Sequence, residues 1–221
     1  MLFSGECSYE SDQNPGRPAG DRCRVVGRLP LRYPSLAPHL GATPAEISAV
    51  QPGDEYVPGP ATDVRTRVIT IHATPAQIWP WLLQIGADKG GLYSYTTLEK
   101  LINCPQVNAD RVHPEWQDLQ PGDLVKMCPG EFGPPPFHVV AIQPERALIL
   151  GQPPLTAADR ATGHAWMSTW ALILEPVDAG ATRLIFRTRD AVHAGWMDII
   201  EPGVFIMERG MLRGIRARAG Q

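Results

Sequence analysis

No stretch of the 221 residues stays apolar for the ~18 positions a membrane-spanning helix needs. The start, MLFSGECSYESDQNPG, has no basic segment followed by an apolar one, so neither an integral membrane segment nor a secretory leader is expected, and the chain is read as soluble and cytoplasmic. A basic excess is also missing. With 20 Lys and Arg against 23 Asp and Glu, the formal charge of -3 supplies no field for gripping a phosphate backbone, which argues against nucleic acid as a partner. The four cysteines, Cys7, Cys23, Cys104 and Cys128, show no C-x-x-C spacing, so free buried or surface thiols are expected rather than a zinc site or a thioredoxin-like motif. His72, His113, His164 and His193 have no metal-binding spacing with Asp, Glu or Cys, and no metal or cofactor is expected. G-x-S-x-G, G-x-x-x-x-G-K-[ST] and G-x-G-x-x-G after a strand are absent as well, which weakens an enzyme reading without excluding it.

What is present is an ordinary globular composition, 43% apolar and 19% charged, with a surplus of six tryptophans. Residues 1–50 are rich in Pro, Gly, Ser and Asp and carry no sustained apolar period, so they read as a flexible arm; only TPAEISAV (43–50) has helical character. Residues 51–221 read as one domain.

Within that domain DVRTRVITIHA (63–73) is a β-branched run that ends at Thr74-Pro75, a helix start. In PAQIWPWLLQIG, Ile78, Trp81, Leu82 and Ile85 recur at i, i+3, i+4 and i+7, which makes one helical face. A second short helix runs from Thr96 or Thr97 through Leu98, Leu101 and Ile102. Then come LVKMC, FHVVAIQP, RALILGQ, HAWMSTWALILEP and ATRLIFRTRD, short β-type runs with no helical pattern between them, and so an antiparallel meander. In TRLIFRTR, Leu184, Phe186 and Thr188 oppose Arg183, Ile185, Arg187 and Arg189, giving one face to a core and most of the other to water. PGVFIMERGMLRGIRARAG reads as a closing helix with Pro202 in its first turn. Gly210 and Gly214 would let another backbone or a ligand come close to it.

The run TRVITIHATPAQIWPWLLQIGADKGGLYSYTTLEKLIN, then NADRVHPEWQDLQPGD and the closing PGVFIMERGMLRGIRARA, resembles the SRPBCC group of the START and polyketide-cyclase superfamily. The resemblance implies an α+β helix-grip fold. In it a curved antiparallel sheet wraps around a long C-terminal helix, two short helices follow the first strand, and a mainly apolar cavity lies between sheet and helix. It implies no single reaction.

Two functions fit that expectation. One is binding of a small hydrophobic molecule, a lipid, polyketide or similar metabolite, in the cavity. The alternative is a polyketide cyclase or dehydratase-type enzyme with Tyr93, Tyr95 or His138 as the acid-base group in the same cavity. Tyr93 and Tyr95 are placed near the cavity mouth, each equally able to cover a helix end. Asn108 either faces the ligand or holds its loop, and His138 sits on a strand face with Val140 and Ile142. Trp81, Trp166 and Trp170 are candidate walls and Met127, Met207 and Met211 candidate lining, with plain core packing the competing role for each.

Overall fold

The computed structural model describes residues 38–59, 61, 63–130, 133–192 and 197–220. Cys7, Cys23, His193 and the first 37 residues of the expected arm lie outside them.

The β-branched run forms β1 (Asp63–Ile71). It hands over to α2 (Pro75–Leu83), which follows the short α1 (Pro44–Ser48), where Pro75 opens the first turn and the Thr74 N–H donates to Gln77 Oε1 at 2.9 Å. Ile78, Trp81, Leu82 and Ile85 are all buried, as their spacing demands. Next come α3 (Thr96–Leu101), β2 (Leu124–Val125), β3 (Phe137–Gln143), β4 (Ala147–Gln152), α4 (Ala157–Ala161), β5 (Ser168–Asp178), β6 (Ala181–Asp190) and α5 (Met197–Ala219). The strands build one antiparallel sheet in the order β1-β6-β5-β4-β3-β2. Strand, two short helices, meander and a long last helix packed on β1 and α2 make this an α+β helix-grip fold.

Period-2 alternation sorts the sheet residues between two covers. On the concave side Leu148, Leu150, Leu172, Leu184 and Phe186 meet Ile78, Trp81 and Leu82 of α2 and Met211, Leu212 and Ile215 of α5 in one buried cluster. Residues buried at 0–8% exposure fill that end of the grip, where a hollow was expected.

The convex side departs from expectation. Val68, Ile149, Ala171, Ile173 and Ile185 are not wet but lie beneath the chain from Pro38 to Gly59, with Ala42 and Tyr56 packed against them. Three arginines of β6 hold that segment down. Arg183 pairs with Glu46 through two 2.8 Å contacts, Arg187 pairs with Asp54 at 2.7 and 2.9 Å, and Arg189 donates to the carbonyls of Val57 and Gly59. Residues 38–50, expected to belong to a loose arm, are therefore a strap over the sheet. The two guanidinium forks supply charge-assisted bonds that composition alone cannot reveal.

Four local expectations also change. The LVKMC run contributes only two strand residues. A short helix, α4, interrupts the meander because Thr156 and Asp159 form a capping box. The last helix starts at Met197, so Pro202 lies inside it. Cys104 and Cys128 are not free thiols but a disulfide, with Cα atoms 5.2 Å apart. The fold brings together two loops 24 residues apart, and no spacing rule encodes that.

Candidate functional site

The link between α2 and α3 is pressed against α5, and the two glycines of that helix are the reason. A β-carbon on Gly210 would lie 2.7 Å from Ser94 Oγ and from the Tyr95 ring, and one on Gly214 would lie 2.8 Å from Tyr93 Cβ. The close partner that Gly214 admits is the Tyr93 main chain, and the one that Gly210 admits is side chain. Ser94 Oγ then donates to the Met207 carbonyl at 2.8 Å, tying the link to the helix.

Tyr93 adopts a left-handed backbone conformation, φ 57°, rare for a residue with a β-carbon. That twist turns its ring inward. The ring lies edge-on to Trp81 at 5.9 Å, the Arg218 guanidinium stacks 5.0 Å above it, and the hydroxyl donates to the Trp81 carbonyl at 2.9 Å. Burial pushes the phenol well above its ordinary pKa. Tyr95, two residues on, is outside. Ser94, Tyr95, Thr96, Thr97 and Leu98 line a cleft of about 420 Å³ whose far wall is Ile206 of α5.

Asn108 is the clamp behind this wall. Its Oδ1 accepts from the Tyr93 N–H at 2.6 Å and its Nδ2 donates to the Ser94 carbonyl at 2.9 Å, so both ends of the amide serve the link rather than the cleft.

The other expected site residues divide between three places. Trp81, Met127 and Met211 belong to the concave core. Half-buried Trp170 packs on that core between Phe137, 4.7 Å away, and Phe186, 5.1 Å away. Met207 is half-buried behind Ser94, its sulfur 3.5 Å from Ser94 Oγ. His138 and Trp166 are on the wrong face. A register shift between Val139 and Ala141 puts Val140 and Ala141 both on the convex side, so His138 does not share a side with Ile142. His138 pairs across the sheet with Gly151, and the Trp166 ring lies over Gly151 on that same outer surface, 5.9 Å from His138. Of the three residues weighed for proton transfer, only Tyr95 lines the cleft.

Sequence reasoning missed a buried ionic cluster at the other end of the grip. Arg65 and Arg67 lie on the concave face of β1, opposite Thr188 and Phe186. Arg65 reaches Asp190 at 2.9 Å and Thr188 Oγ1 at 3.0 Å; Arg67 pairs with Glu201 at 3.0 Å and with Glu208, under the Phe205 ring. Burial lowers the Arg67 pKa and raises that of Asp190. The signal was legible: Arg65 and Arg67 alternate in phase with Ile69 and Ile71, the apolar side of the strand. The cluster seats the first half of α5 over β1. Breaking a pair this deep costs about 3–5 kcal/mol, because the abandoned charge stays buried.

No family model matches the chain, and no curated protein does. Solved structures that resemble it include truncated norcoclaurine synthase from Thalictrum flavum (15% identity over 70% of this chain and 91% of that one, TM-score 0.35). The Aha1 dimer from Colwellia psychrerythraea matches at 14% identity over 70% and 97%, TM-score 0.40. A protein of Nitrosomonas europaea matches at 16% identity over 73% and 97%, TM-score 0.43. At such scores none of these names carries over. The chain's own order of strand, paired short helices, antiparallel meander and gripping last helix gives it a helix-grip fold.

Proposed function

We propose that the protein binds a small hydrophobic molecule, a lipid, polyketide or similar metabolite with at least one hydrogen-bonding group, in the cleft between residues 94–98 and α5. The observation that carries this is the lining. Leu98 and Ile206 offer apolar walls while Tyr95, Thr96 and Thr97 bring hydroxyls to the same space, a mixture that suits an amphipathic guest. This reading puts the site at the flank of the last helix rather than beneath it, and the close packing of the concave cluster supports that choice. Burying ~250 Å² of ligand surface would supply about 6 kcal/mol before association costs, so micromolar affinity is the ceiling.

Titration with the apolar fluorophore 1-anilinonaphthalene-8-sulfonate is expected to saturate at one molecule per chain. Thr97→Trp, which fills the cleft from an exposed position, is expected to abolish the signal without lowering the melting temperature. Unsaturable binding, or equal binding by Thr97→Trp, would sink the reading.

A further inference from the structure

Around the cleft the molecule exposes aliphatic side chains that no described residue covers. On α5, Ile199, Pro202, Ile206, Arg209 and Arg213 follow one another at spacings of three and four residues, which places them on one stripe. All five are exposed, Ile199 at 81% and Ile206 at 43%. Across the cleft Leu98 is 37% exposed, Leu101 76%, and Ile102, just past the end of α3, 69%. Leu98 and Ile206 line the same cleft, so the two aliphatic sets meet there and form one surface.

Its chemistry identifies the partner. Protein-binding surfaces are enriched in aromatic residues, methionine and arginine; the arginines fit that pattern, but the large apolar side chains here are Leu and Ile, with Tyr95 at the rim. The stripe on α5 also changes character along its length, apolar through Ile206 and cationic from Arg209. Arg213 stands roughly 10 Å further along the axis than Ile206 at 1.5 Å per residue, so with α5 tilted and its N-terminal half toward the bilayer the cations reach headgroup level while the aliphatic side chains enter the acyl boundary. Arg209, Arg213 and nearby Lys100 are exposed and pair with no acid among the described residues, whereas Glu201 and Glu208 turn inward to Arg67. We propose that this end of the molecule docks on an anionic lipid bilayer, with Ile199, Ile206, Leu101 and Ile102 entering the interface and Arg209 and Arg213 meeting the phosphates. The cleft then opens toward the bilayer. Docking stands whether or not the cleft holds a guest.

Co-sedimentation of the full chain with phosphatidylcholine vesicles, with and without phosphatidylserine, tests this. Binding is expected to the serine-containing vesicles and to fall with added salt. Arg209→Glu with Arg213→Glu is expected to weaken it by about tenfold or more, and Leu101→Asp with Ile199→Asp to abolish it while leaving the melting temperature unchanged. No binding at low salt, or equal binding by wild type and both double variants, overturns the proposal. So does a concentration-dependent dimer in sedimentation velocity that Leu101→Asp dissolves, which would make the surface a contact between copies. Fluorophore uptake measured without vesicles separates the two readings: uptake without vesicle binding removes only the docking, and vesicle binding without uptake removes only the guest.

Discussion

Gly214 lies directly against the main chain of Tyr93, with no room between them for a methyl group. Gly210, one turn earlier, faces instead the Ser94 hydroxyl and the half-exposed Tyr95 ring, atoms that can move. The two glycines should therefore answer differently to the same change.

Alanine at either position gains about 1 kcal/mol of helix propensity. At Gly214 that gain is outweighed by a clash with backbone that cannot yield, and Gly214→Ala is expected to destabilise by about 2 kcal/mol net. Gly210→Ala is expected to be near neutral in stability but to displace Tyr95 and weaken fluorophore binding in the cleft. Urea unfolding and the fluorophore titration, run on both variants, check the contrast; equal destabilisation would show that the two contacts are equivalent.

The Cys104–Cys128 bridge closes the loop that carries Asn108 and so holds the clamp on Tyr93 and Ser94. Closing a loop of 24 residues is worth about 3 kcal/mol. The double substitution Cys104→Ala, Cys128→Ala is expected to lower the unfolding free energy by that amount and to reduce fluorophore binding. Thiol quantification under denaturing conditions should find neither residue reactive until a reductant is added. Such a bridge persists in oxidising compartments and is rare in the cytosol.

Glu99 is fully buried on α3, and neither carboxylate oxygen has a hydrogen-bond partner among the described residues. Burial raises its pKa. The folded state then holds its proton more tightly than the unfolded state does, so this group's contribution is most favourable below the unfolded value near 4.5 and is lost as pH rises through the folded value. Glu99→Gln is expected to stabilise the protein by about 1–2 kcal/mol at neutral pH and to match wild type in acid. A stability difference that stays constant with pH would rule out this account of Glu99.

Much of the frame was written locally. The i, i+3, i+4, i+7 spacing of Ile78, Trp81, Leu82 and Ile85 names the buried side of α2, and the alternation of Leu184, Phe186 and Thr188 names the inner face of β6. The other side of β6 was legible as charged but not as covered, because the partners of Arg183 and Arg187 lie 137 and 133 residues earlier. His138 was misplaced for a geometric reason: an alternation count presumes an unbroken ladder, and the bulge after Val139 breaks it. Tyr93 and Tyr95 share the same local sequence pattern, yet one left-handed residue sends them to core and rim respectively.

The strap also finishes the rim of the sheet. β1 is an outermost strand, and its outward N–H groups at Thr66 and Val68 are taken at 2.8 and 2.9 Å by the carbonyls of Pro38 and Leu40. At the opposite rim β2 is only two residues long. Among the described residues the strap thus covers part of one border, and that shortens the open ladder a foreign strand could use in fibre growth.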